Sequence, residues 1–137
     1  MRFYFYAILT MFFWGISPAL EKIGVSKLSP LTAVSIRSFF VAIILSVFFF
    51  SSGGLQEATK DPRSLTFILL GGLFAGLLGQ LTYFSALKYG EASRVVPIVA
   101  SYPVLTFIIG ITLLGESITT AKVAGVVLVS AGVFLLR

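Results

Sequence analysis

Residues 64–87 read SLTFILLGGLFAGLLGQLTYFSAL, 24 residues without a single charge. A helix that crosses the hydrocarbon core of a bilayer needs about 20 mostly apolar residues, and this run supplies them with a margin. Outward from it the pattern repeats. Downstream, Val95–Gly115 is uncharged, and Ile118–Leu136 is interrupted only by Lys122 near its start, where a lysine can snorkel to the headgroups. Upstream, Leu28–Leu55 is uncharged except for Arg37, and Phe3–Leu20 is uncharged throughout. The runs predict an all-α integral membrane protein with five transmembrane helices at approximately 3–22, 30–51, 64–88, 94–114 and 118–136, forming one domain over 1–137. Continuous apolarity argues against a β-barrel, whose strands alternate over about 10 residues.

Composition agrees. The chain has 137 residues, 58% hydrophobic and 11% charged, against about 25% charged in an ordinary soluble domain. It contains no Cys and no His, which leaves no zinc finger, iron–sulfur cluster, thiol chemistry or His-based catalysis. No metal or cofactor is expected, no catalytic residues are assigned, and an enzyme is not expected because no nucleophile–base pair or phosphate loop is present. The ten basic residues are scattered singly along the chain, mostly in the loops, so the formal charge of +5 does not indicate a nucleic-acid partner. The first run is too long for the apolar region of a signal peptide, roughly 7 to 15 residues, and is read as retained.

The turns carry start and stop chemistry. Ser29-Pro30 suits a cap and first helical position. Ser51–Arg63 forms the longest loop, Gly90 a helix stop, Ser93 a cap for the fourth helix, and Thr119 or Thr120 a start for the fifth. Five crossings place the two ends on opposite faces. Lys and Arg then divide almost evenly, with Arg2, Lys60, Arg63 and Lys122 on one side and Lys22, Lys27, Lys88, Arg94 and Arg137 on the other. Short-loop Lys and Arg normally fix orientation. A near balance leaves two readings open: a few end residues decide, or the chain inserts both ways and pairs as an antiparallel homodimer with inverted repeats. Gly72-x-x-x-Gly76 suits packing within the chain, and Gly125 with Gly132 suits a dimer contact.

Polar groups at membrane depth need a partner or a cavity. Trp14, Gln80, Tyr83, Ser101 and Tyr102 either line a substrate cavity or hold helices together. Pro18, Pro97 and Pro103 break backbone bonding, and Pro103 is expected to free the Val99 carbonyl. Glu21 and Arg37 are a candidate charge or ion-pair site, with Arg37 roughly 10 Å along its helix from Pro30.

The run Tyr83-Phe84-Ser85-Ala86-Leu87-Lys88-Tyr89-Gly90-Glu91-Ala92-Ser93 resembles the junction of the third and fourth helices in the EamA family of the drug/metabolite transporter superfamily. Val96-Pro97, Tyr102-Pro103, Leu114-Gly115-Glu116 and Gly125–Val133 continue the likeness in order, and Trp14-Gly15, Lys22 and Arg37 are similar to the first two helices. The resemblance implies one five-helix EamA-like repeat that pairs with itself or a sister chain. It implies a secondary transporter of small organic metabolites or amphipathic compounds, working by alternating access in the plasma (cell inner) membrane. The alternative is a non-transporting accessory or assembly subunit of another membrane protein.

Overall fold

The computed structural model describes residues 2–135. All regular structure in them is helical, and the chain divides into two compact units that meet at Tyr89-Gly90.

The first unit contains α1 (Arg2–Val25), α2 (Pro30–Ser51), a short α3 (Gly54–Ala58), α4 (Pro62–Gly71), a π segment (Gly72–Leu78) and α5 (Gly79–Tyr89). α2 starts where Ser29-Pro30 directs it: the Ser29 hydroxyl accepts from the Thr32 N–H at 3.1 Å and Pro30 occupies the first turn. Asp61-Pro62 starts α4 in the same way, with the Asp61 carboxylate accepting from the Arg63 N–H at 3.1 Å. The loop expected over Ser51–Arg63 therefore holds a helical turn, entered through Gly53 at φ 75°, a left-handed conformation that glycine adopts without strain.

The third span is one 28-residue helical rod, Pro62–Tyr89, but not a uniform α-helix. Its centre is π, with the Gly79 N–H reaching the Phe74 carbonyl five residues back. α1 and α2 both pack against α5. The buried side chains gather there: Val25, Ala33, Val34, Phe84 and Leu87, of which Val25 and Leu87 are wholly enclosed. Elsewhere the helices expose Phe, Leu and Ile along their length. Such continuous apolar surface is incompatible with water and matches lipid. Gly72 and Gly76, expected to pack within the chain, have no neighbouring atom within 4 Å of where a Cβ would stand. Their face is open, because the inward-facing part of the rod lies further along, in α5.

The second unit contains α6 (Ala92–Val99), α7 (Pro103–Thr112) and α8 (Thr120–Leu135), with α7 packed on α8. The span expected over 94–114 is two helices joined by a turn at Ala100-Ser101-Tyr102. Pro103 ends α6 because it offers no N–H to continue the ladder. The Val99 carbonyl is not freed as expected: the Tyr102 N–H donates to it at 3.1 Å, and Ser101 N–H donates to Ile98 at 3.2 Å. These three-residue bonds tighten the last turn and absorb the orphan. Ser93 is not the cap. Arg94 and Val95 N–H groups both donate to the Glu91 carbonyl, so α6 begins one residue before Ser93 with Glu91 at the cap position.

α7 ends at Thr112, and the chain turns through Gly115, φ 68°, so that the Glu116 N–H donates to the Gly110 carbonyl. α8 opens with the Thr119 hydroxyl accepting from Lys122 N–H at 3.3 Å. Sixteen residues make α8 shorter than the expected 118–136, whose last residue lies outside the described ones. At 1.5 Å per residue it is about 24 Å long, short of the roughly 30 Å hydrocarbon core. The described residues thus contain four helical rods long enough to span a bilayer and one shorter apolar helix.

Candidate functional site

Three helices of the first unit bring charged and amide groups together. Glu21 lies on the last turns of α1, Arg37 two turns into α2, and Gln80 is the second residue of α5, directly after the π segment. Arg37 Nη1 donates to Glu21 Oε1 at 3.0 Å and to Gln80 Oε1 at 2.6 Å. The guanidinium carbon stands 5.8 Å from the centre of the Phe84 ring, one turn beyond Gln80, in cation–π range. The Glu21 side chain is 13% exposed and that of Arg37 43%, so the acid is held inside and the base faces outward.

The cluster borders an apolar groove of ≈ 360 Å³, walled by Leu20, Val25, Leu28, Ile36, Phe40 and Phe84 among others, with Glu21 and Arg37 in its lining. That volume falls in the range of small-ligand sites, about 300–1,000 Å³. Two lysines tie the same end of the unit together. Lys22 of α1 donates to the Leu87 carbonyl of α5, and Lys88 of α5 donates to the Leu28 carbonyl at 2.7 Å. Lys22 satisfies a carbonyl in the last turn of α5 and Lys88 one in the turn between α1 and α2, and each lysine stands in the last turn of its own helix, where the dipole is negative. Together they hold the walls on which Glu21, Arg37 and Gln80 stand.

Of the residues singled out in the sequence, Glu21, Arg37 and Gln80 meet directly. Tyr83 is half-buried on α5, one residue before Phe84. Trp14 lies two turns before Glu21 on α1 and is 63% exposed. Pro18 is buried inside an α1 that continues through it. Ser101 and Tyr102 belong to the second unit, in the turn between α6 and α7; the Ser101 hydroxyl donates to the Ile98 carbonyl at 2.6 Å, and Tyr102 is exposed. Pro97 lies within α6 and Pro103 in the first turn of α7. Gly125 lines a shallow groove between α7 and α8 with Pro103, Phe107 and Lys122. Gly132 has open space beside it. Lys122 also pairs with Glu116 at 3.2 Å. No grouping of three metal-ligating side chains occurs among the described residues.

The sequence reading missed Phe84 under the guanidinium and the two lysine-to-carbonyl bonds. The signal for Phe84 was its i, i+4 spacing from Gln80, which puts both on one helix face.

The profile of the EamA-like transporter family matches residues 1–137. The chain belongs to the EamA-like transporter family. This makes it a multi-pass membrane protein of transporter type rather than an enzyme. Among EamA-like relatives, it is 32% identical over 133 residues to an uncharacterised transporter encoded in the cobO 3′ region of a Sinorhizobium species, covering 96% of this chain and 94% of that one. An uncharacterised protein of Methanocaldococcus jannaschii is 27% identical, with 94% and 91% covered. An uncharacterised transporter of Archaeoglobus fulgidus is 30% identical over 96% of this chain, but that match spans only 45% of the longer protein. No solved structure matches.

Proposed function

We propose that this EamA-like protein is a secondary transporter that moves small organic metabolites or amphipathic compounds across the plasma membrane by alternating access, as an antiparallel dimer. The observation that carries the reading is the Glu21–Arg37–Gln80 cluster. Charges at membrane depth are costly and mark binding or transport pathways, and here they border a groove of ligand size in a unit whose other surfaces suit lipid.

The dimer rests on separate support. The chain matches a little under half of the Archaeoglobus transporter, so two copies of this length account for the longer protein, and inverted repeats are a common transporter architecture. The near balance of Lys and Arg between the loops suits insertion in both orientations. The open faces at Gly125 and Gly132 of α8 suit close helix contact with a second copy or a sister chain. The substrate pathway includes Gln80, Arg37 and Tyr83 of the first unit, and the polar turn Ser101-Tyr102 is a separate candidate in the second.

Flux into liposomes containing the purified protein tests the proposal. Transport of at least one compound from a panel of organic anions, cations and zwitterions is expected, with Gln80→Ala lowering it at least about ten-fold, the effect of losing one charge-assisted hydrogen bond. Absence of flux across the panel, together with a stable hetero-partner on purification, overturns it in favour of an accessory subunit.

A further inference from the structure

The bonding of Arg37 is lopsided. Both side-chain partners, Glu21 and Gln80, are held by Nη1, which carries two hydrogens. A guanidinium has five N–H donors, so the three on Nε and Nη2 have no hydrogen-bond partner among the described residues. The side chain is nevertheless 43% exposed in a helix surrounded by apolar surface, where unsatisfied donors are expensive. The charge around it is also uneven. At this end the first unit carries Lys22, Lys27, Arg37 and Lys88, four cations, against the single carboxylate of Glu21. The groove beside the guanidinium is otherwise apolar.

We infer that this groove binds an amphipathic organic anion. Its carboxylate or phosphate is received by the outward edge of Arg37, and its apolar tail lies against Leu20, Leu28, Ile36 and Phe40. The chemistry is specific. A guanidinium edge with two parallel N–H groups matches a carboxylate or phosphate in a bidentate pair. Glu21 and Gln80 fix the other edge, so the fork is pre-oriented. Glu21 keeps the arginine compensated when the groove is empty and repels a second carboxylate from the Nη1 side, which directs the ligand to the free edge. An organic cation is disfavoured because the one cation lining the groove, Arg37, already engages its one acid, Glu21, and the lysines at this end of the unit add further positive charge. Gly24 lines the groove and has nothing within 4 Å of a Cβ position. A larger side chain there projects into the tail's place without straining the helix.

The inference rests on the transporter reading for its biological meaning, but binding tests it independently. The full chain is placed in phosphatidylcholine nanodiscs, with empty discs as the control, and titrated with octanoate, octyl phosphate and octyltrimethylammonium. The two anions are expected to raise the melting temperature and the cation to leave it unchanged. Arg37→Gln should weaken anion binding about ten-fold or more, the usual cost of losing a charge-assisted pair, with Arg37→Lys intermediate. Gly24→Leu should weaken the octyl anions comparably through the tail. Equal stabilisation by the cation, or wild-type anion affinity in both Arg37→Gln and Gly24→Leu, overturns the inference. Should Arg37→Gln fail to fold, the anion–cation comparison and Gly24→Leu still decide.

Discs containing phosphatidylglycerol separate two sources of the same chemistry. Competition with octyl phosphate identifies a lipid headgroup as the occupant, and undiminished binding identifies a soluble anion. Flux of some other compound without anion binding sinks this inference and leaves the transporter standing; anion binding with no flux does the reverse.

Discussion

Arg37 joins three helices through one nitrogen, and the consequence is that its two partners are not equivalent. Glu21 compensates its charge at 3.0 Å, whereas Gln80 contributes a neutral acceptor at 2.6 Å. Removing one member of a partly buried pair orphans the other, which costs more than the pair itself contributes. Arg37→Leu is therefore expected to lower stability by about 2 kcal/mol, below the fully buried case because Arg37 is partly exposed. The double change Glu21→Leu/Arg37→Leu should recover most of that loss, since no uncompensated carboxylate remains. Transport should be absent in both. Thermal unfolding beside liposome flux checks this, and a double variant no more stable than Arg37→Leu would show that the pair is not the source of the cost. Glu21, Arg37 and Gln80 were legible as residues, because isolated polar groups in apolar runs stand out. The Glu21–Arg37 pair was legible as a candidate as well; that Gln80 joins it on the same nitrogen was not, since nothing in the sequence says which face of the third span packs against Arg37.

Element boundaries followed local chemistry wherever that chemistry was unambiguous. Ser29-Pro30 starts α2 and Pro103 starts α7 because a missing N–H or a capping hydroxyl acts within one turn. The π segment was invisible, since nothing in a run of Leu, Phe, Ala and Gly side chains marks where the backbone bonds five residues back instead of four. Gly79 sustains that geometry. A Cβ there would stand 2.9 Å from the Phe74 carbonyl oxygen. Gly79→Ala should shift the register and rotate Gln80 away from Arg37, lowering flux strongly, while Gly72→Ala, in open space, should leave it near wild type. Equal flux in the two variants would remove the π turn from any functional role. At the start of α4, the hydroxyl and N–H of Ser64 hold the Asp61 carboxyl below its ordinary range. A depressed folded value means that the cap's contribution is present at neutral pH and lost as pH falls through that value. Amide exchange at Arg63 should accelerate on acidification below about pH 4, and Asp61→Asn should abolish this dependence.

At the scale of the whole molecule, the decisive quantity is the number of crossings. Were all four rods of sufficient length to cross, the segment before α8 would return to the face of residue 2, and α8, at 16 residues, would decide whether a fifth crossing reverses this. A short apolar helix crosses by thinning the bilayer or by associating with another helix, and Gly125 and Gly132 provide a flat face for the second route. Parity then governs architecture. With five crossings, two copies joined in one chain are inverted automatically, because the second begins on the opposite face; this is how a relative about twice as long would acquire inverted repeats. A five-crossing chain of one copy reaches the same pair only by inserting both ways, which requires loop charges that do not choose. Gln56→Cys, in α3 between the second and third spans, should accordingly be labelled from both faces of intact cells. Adding three Lys to residues 51–63 should drive the population into one orientation and lower flux in proportion, because each copy loses its inverted partner. Co-expression with a copy carrying the opposite charge bias should restore it. Labelling from one face only, with flux unaffected by the added lysines, would exclude the antiparallel pair and require the transport path to lie within parallel copies.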